Sequence, residues 1–405
     1  MNAINSAVQA VLATKTYTNV VNMNAYGASN LISGGSTGNV IASTDGITYQ
    51  YARTLLNTGN GKILMFPFVG EDGDIAQPAG SITRYEFDIQ SRAWSADFQM
   101  ALDTRIAVFV DASSPITNYT IHDHHAFMVN GKIRIYMTMA NRDSYVTQVS
   151  SVFMIESTDG LIGKAFTAPQ LIKPYYTGGQ ATVSGLISSG TAGVSWLIVA
   201  GDLVTRSTYA IHIDDATGLA TGGSTTIVGA VNYIGEADFV RIDANRVIGV
   251  IRDNTGAGLK MVTTTDNFAT PVTPVLCQVS GGGTVGISTG TKVTPKLRIC
   301  GNNPNTLMCI FNDRGDTSKT KIVKASIANA FANVWEAPYT FGNSATQGNH
   351  AFDFVDETKG LFMVVGTLQV TNVVNPNVPS NHYTNLLWWL LQDKYSSVIS
   401  PVPYQ

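Results

Sequence analysis

The feature that most constrains this chain is a short polar turn that returns along it, each time after a stretch of β-forming residues. Its sharpest copies are Ser43-Thr44-Asp45-Gly46-Ile47-Thr48-Tyr49 and Ser157-Thr158-Asp159-Gly160 followed by Phe166. Weaker echoes are Phe87-Asp88-Ile89-Gln90-Ser91-Arg92-Ala93-Trp94, Asp214-Asp215-Ala216-Thr217-Gly218, Thr265-Asp266-Asn267-Phe268 and Ser326 leading to Trp335. A spacing of roughly 45–70 residues is the period of a β-propeller blade. In such a turn the hydroxyl and the carboxylate bond nearby backbone N–H groups and Gly takes the positive φ. The following aromatic then plugs the layer between sheets. These turns are expected to hold the fold rather than to perform chemistry.

The pattern divides the chain near 17–52, 53–103, 104–173, 174–229, 230–277, 278–341 and 342–405. Each later unit carries a second strand of near-continuous hydrophobicity, which predicts burial on both faces between neighbouring blades. Examples are Lys62-Ile63-Leu64-Met65-Phe66, Trp196-Leu197-Ile198-Val199 and Leu361-Phe362-Met363-Val364-Val365. The first unit is thin, either a full blade or strands that complete the last one. The reading is therefore an all-β propeller of six or seven blades spanning 17–405. Residues 1–16 form a separate docking segment, in which Ser6 to Ala13 predicts a short helix with Val8, Val11 and Leu12 on one stripe.

Composition narrows the partners. Of 405 residues only 13% are charged and the formal net charge is −3, so no basic field gathers nucleic acid or an anionic membrane. The longest apolar run, Leu386 to Leu391, is too short to span a bilayer. Cys277, Cys300 and Cys309 lack CxxC spacing and predict buried thiols rather than a disulfide framework or zinc knuckle. The start, Met1-Asn2-Ala3-Ile4-Asn5, has no basic region followed by a long apolar stretch, so no secretory signal is read.

The polar turns, together with two longer stretches, resemble the sialidase-like propellers with Asp-box repeats. Arg53-Thr54-Leu55 through Gly70-Glu71-Asp72-Gly73-Asp74 is similar to the first sialidase blade. That resemblance implies that Arg53 binds a substrate carboxylate and that Asp74 or Asp72 serves as the acid. Gly235-Glu236-Ala237-Asp238 through Ile251-Arg252-Asp253 is similar to the blade supplying a glutamate and a second arginine, which implies those roles for Glu236 and Arg252. Arg314 falls where the third arginine would enter. Three guanidinium groups converging on one carboxylate give charge-assisted, bidentate recognition. The family's tyrosine nucleophile would stand at the start of the last unit, where this chain reads Asn349-His350-Ala351-Phe352-Asp353. Without it Glu236 has nothing to activate.

The densest ionisable run is His122-Asp123-His124-His125. In an extended segment His122 and His124 share one face, so they could supply two metal ligands; the alternative is a polar strand lining the propeller channel. Glu71, Asp72 and Asp74 offer oxygen ligands of the kind Ca²⁺ takes, without EF-hand spacing, and no other cofactor is expected. The functional expectation is a non-catalytic virion subunit, such as a phage tail or receptor-binding protein, present in several copies and binding a host glycan or neighbouring virion proteins. The alternatives are an exo-acting glycoside hydrolase of sialidase type and a purely structural adaptor.

Overall fold

The computed structural model describes residues 21–22, 38–41, 48–51, 53–71, 80–91, 93–100, 108–109, 115–116, 119–141, 149–177, 182–200, 207–229, 234–253, 258–281, 283, 294–300, 303–313, 319–341, 346–357, 361–371 and 382–392. The fold is an all-β propeller. Four blades are four-stranded antiparallel sheets in which strand order follows chain order. Their inner strands are Tyr119–Val129, Thr182–Ser188, Ile234–Arg241 and Lys296–Cys300. A fifth blade runs from the inner strand Thr346–Asp356 through Leu361–Thr371 to His382–Gln392. Two strands from the start of the chain complete it, Gly38–Ile41 antiparallel and Val21–Asn22 parallel to His382–Gln392.

The segment Thr48 to Met100 makes a sixth, composite sheet of six strands. Its second strand is split at Phe66-Pro67 into Lys62–Met65 and Phe68–Glu71, because Pro67 has no N–H to give the ladder. Both halves pair with the single strand Gly80–Asp88. The inner strand is likewise divided into Thr48–Tyr51 and Leu55–Asn57. The expected six or seven equivalent blades are thus corrected to five regular blades and one split sheet. Seven fails because the described strands of residues 17–52 go to the fifth blade and to the split sheet. The segment 1–16, with its expected helix, lies outside the described residues.

The second strands are where the sequence placed them, and their alternation builds the core. Ile63 and Met65 pack with Met363 and Val365 of the fifth blade, whereas Leu64 and Phe66 pack with Ile133 and Ile135 of the first. Tyr136 of the first blade lies with Leu197 and Val199 of the second, while Trp196 and Ile198 turn to Val247 and Ile251 of the third. Adjacent residues of one strand therefore serve two interfaces, the burial expected of strands sandwiched between blades. All three cysteines are buried and none is in a disulfide.

The polar turns occupy one topological place. Those at Asp88, Asp159, Asp214 and Asp266 all connect the third strand of a sheet to its fourth. In the sharpest, the Ser157 hydroxyl accepts the Ile133 N–H at 2.9 Å and donates to the Gly160 carbonyl at 2.6 Å. The Asp159 carboxylate accepts N–H bonds from Gly163, Lys164 and Ala165 at 2.9–3.0 Å. Phe166 meets Phe66 of the neighbouring sheet edge-on at 6.0 Å. The Ser326 copy departs from this pattern, because Ser326 caps a five-residue helix, Ile327–Phe331, by accepting the Asn329 N–H. The turn at Asp45 lies outside the described residues.

Replacing Asp159 with alanine removes the acceptor of three backbone N–H groups and is expected to lower unfolding free energy by about 1–3 kcal/mol. Urea denaturation of the two proteins checks this.

Candidate functional site

Alternation along the inner strands turns one ionisable residue in two toward the propeller axis. Asp123 and His125 come from the first blade, Glu236 and Asp238 from the third, and Lys296 and Arg298 from the fourth. Arg53, between the two halves of the split sheet's inner strand, reaches two of them. Its Nε lies 2.9 Å from Asp123 Oδ1, and both terminal nitrogens lie 3.1 Å from Glu236 Oε1. Arg252, at the end of the third blade's second strand, donates to the other oxygen of Glu236 at 2.8 Å. Glu236 is thus clamped by two guanidinium groups, one of them reaching across from another sheet. The chain of contacts continues from Asp123 to His125 at 3.9 Å and from His125 to the Lys296 ammonium at 3.4 Å.

Burial governs the electrostatics. Asp123 is 1% exposed, and loss of water pushes its carboxyl up to about 6 despite the Arg53 guanidinium. Burial pushes His124 down to about 4 and His125 well below its ordinary range. It also pushes the Lys296 ammonium down to about 8. Lys296 is accordingly the donor to a neutral His125. Beside this network Asp238 accepts the Leu297 N–H at 2.9 Å and an Arg298 N–H at 3.1 Å. The result is a plug of linked ionic contacts across the channel.

Of the residues singled out from the sequence, Arg53, Glu236 and Arg252 come together. Asp72, Asp74 and Arg314 lie outside the described residues. The expected pairing of His122 with His124 as ligands rests on a His122 side chain that lies outside what the structure describes. The register shifts between Ile121 and Asp123, so His122 is the extra residue of a bulge and the alternation restarts after it. His124 Nε2 is bonded to the Phe66 carbonyl. Among the described residues no group of three His, Cys, Asp or Glu side chains is arranged to hold a metal. At the start of the last unit, where the resemblance would place a tyrosine, His350 is fully buried, with its ring nitrogens 3.0 and 3.5 Å from the hydroxyls of Thr320 and Thr294.

Sequence reasoning missed Lys296, Arg298 and Asp238. The available signal was their spacing: Asp123-x-His125, Glu236-x-Asp238 and Lys296-x-Arg298 each place two polar groups on one face of an otherwise apolar strand.

No family model and no curated protein matches the chain. Solved structures do share its fold. A Hadza microbial sialidase, Hz136, aligns with a TM-score of 0.56 at 12% identity, over 88% of this chain and 68% of that one. A protein of unknown function from Dyadobacter fermentans aligns at 0.58 and 12%, over 85% and 98% of the two chains. The α-L-arabinofuranosidase Arb93A from Fusarium graminearum aligns at 0.55 and 11%, over 92% and 98%. The class defined by the fold is therefore the β-propeller architecture found in sialidases and in this arabinofuranosidase.

Proposed function

We propose that this propeller recognises a glycan and binds it without turnover. The observation carrying this reading is that Glu236 closes on both Arg53 and Arg252. The two guanidiniums that resemblance would reserve for a substrate carboxylate are both engaged by Glu236, and Arg53 by Asp123 as well. Breaking such a buried pair costs about 3–5 kcal/mol, which a sialoside carboxylate would have to offset. The position that would hold a nucleophile carries His350, closed off by two threonines. A glycan as the partner is supported by the uncharged, hydroxyl- and amide-rich composition of the chain and by the glycan-processing enzymes that share its architecture. A virion setting finds no support in these neighbours, and the segment 1–16 that would dock such a subunit lies outside the described residues.

A glycoside hydrolase is the second reading, favoured by one observation. Asp123 and Glu236 share the Arg53 guanidinium, and burial lifts the Asp123 carboxyl to about 6, toward the range of a general acid. Fluorogenic sialosides and arabinofuranosides separate the two readings. Wild-type turnover is expected to be no greater than that of Asp123→Asn and Glu236→Gln variants, while a glycan array detects binding. Hydrolysis that disappears in either variant establishes the enzyme instead.

A further inference from the structure

The channel has a second mouth. In a four-stranded antiparallel blade the connections between strands one and two and between three and four lie on one rim, and those between two and three on the other. Arg252 ends a second strand and points the Glu236 clamp toward the latter rim. On the opposite rim, among the polar turns, a cavity of about 390 Å³ opens beneath the plug. Asn130, in the turn after the first blade's inner strand, and Asp215, in that of the second blade's polar turn, both line it. Its volume falls in the range of small-molecule sites, about 300–1,000 Å³.

Its chemistry is specific. Arg298 lines the cavity with its NH1 already committed to Asp238 at 3.1 Å and to the Leu297 carbonyl at 2.8 Å, and its guanidinium lies 5.9 Å from the Phe352 ring. These contacts fix the group and leave its Nε and NH2 edge, the edge suited to a bidentate carboxylate, without an acceptor among the described residues. Asp353, on the neighbouring inner strand, also lines the cavity. One of its oxygens accepts the Phe354 N–H at 2.9 Å and the other the Asn57 N–H at 3.2 Å, so its carboxylate is held in place too. Asp215 adds a second carboxylate whose Oδ1 is buried with no hydrogen-bond partner. Phe127, Leu186 and Ile187 supply apolar wall.

A simple anion in this cavity would face Asp353 and Asp215, and a simple cation would face Arg298. A neutral ligand would leave the Arg298 edge and the buried Asp215 Oδ1 without oppositely charged partners. A ligand with both charges a few atoms apart and an apolar remainder answers all three features. We infer that this mouth is a binding site for a small zwitterion of the α-amino-acid type, its carboxylate on the free edge of Arg298, its ammonium on Asp353 and its side chain against Phe127 and Leu186. The site is independent of glycan recognition at the other mouth.

Isothermal titration of the full chain with L-leucine tests it, using isoamylamine, 4-methylpentanoate and D-glucose as comparisons. L-leucine is expected to bind, each truncated analogue to bind at least about tenfold more weakly, and glucose not to bind. Asp353→Asn is expected to abolish leucine binding with the thermal midpoint retained. Ser188→Trp, at an exposed position of the cavity lining, is expected to abolish it sterically and decides the matter if the aspartate variant does not fold. No binding of leucine up to about 10 mM, glucose binding as tight as leucine, or leucine binding that survives Ser188→Trp overturns the inference.

Discussion

Glu236→Ala is expected to lower the unfolding free energy by about 3–5 kcal/mol, because it leaves the largely buried Arg53 and Arg252 guanidiniums with their shared acceptor gone. The side chains concerned are 9%, 14% and 16% exposed for Arg53, Arg252 and Glu236, so solvent does little to screen the loss. The effect spreads beyond one blade, since Arg53 also holds Asp123 and its sheet is far in sequence from the third blade. Glu236→Gln, which keeps an acceptor of the same shape, is expected to cost less than the alanine. Urea denaturation of the three proteins at one ionic strength gives the ranking, and an alanine variant as stable as wild type contradicts it.

A loss of stability on mild acidification is the second large effect, and its sign follows from opposing groups. His124 is held down to about 4 against an ordinary 6.5, so between these values the unfolded chain takes up a proton that the folded chain refuses. Stability from this group is complete above about 6.5 and is lost as pH falls toward 4. Asp123 acts in the opposite sense. Its folded carboxyl, pushed up to about 6 against an ordinary 3.8, binds the proton before the unfolded chain does, so its contribution grows as pH falls through the same window. At 1.36 kcal/mol per unit each amounts to about 3 kcal/mol, and the two nearly cancel. His125, also held well below its ordinary range, acts with His124, while Asp353, whose carboxyl burial also raises, acts with Asp123, and the two histidines are expected to outweigh the two carboxyls. Asp88, held down to about 2 by Lys62 and the Ser91 backbone, contributes only below this window. The protein is therefore expected to be less stable at about pH 5 than at about pH 7, and Asp123→Asn, which removes the opposing contribution, to steepen the decline. Denaturation midpoints at the two pH values measure both slopes. A wild type that gains stability on acidification contradicts the assignment.

Much of this architecture was legible in the residues. Each second strand, from Lys62 to Val365, stands where its apolar run placed it, because burial on both faces leaves no alternation to misread. The Asp159 turn was equally clear and the Asp214 turn a weaker echo of it, since Ser or Thr, Asp and Gly have few other reasons to recur at a blade's spacing. The blade count was less clear. Residues 17–52 read as a unit, yet their strands pair with segments at both ends of the chain, and pairing over such separations has no local signature. Arg53, Glu236 and Arg252 were identified through resemblance, which supplied the residues but not their relation. That Glu236 closes on the arginines, rather than leaving them open for a ligand, depends on a contact between residues 183 positions apart. The bulge at His122 was hidden for a related reason: strict alternation is the only rule available before the partner strand's register is known.

The central claim, that the channel's arginines are engaged internally, is tested most directly by a double-mutant cycle on Arg53→Met and Glu236→Gln, read by unfolding free energy. Close charge pairs of this kind give coupling energies from about 1.5 kcal/mol upward, and a value in that range is the result expected here. Additive effects of the two substitutions, with no coupling beyond about 0.5 kcal/mol, would mean that the Arg53–Glu236 contact carries no pairing energy and would contradict the claim.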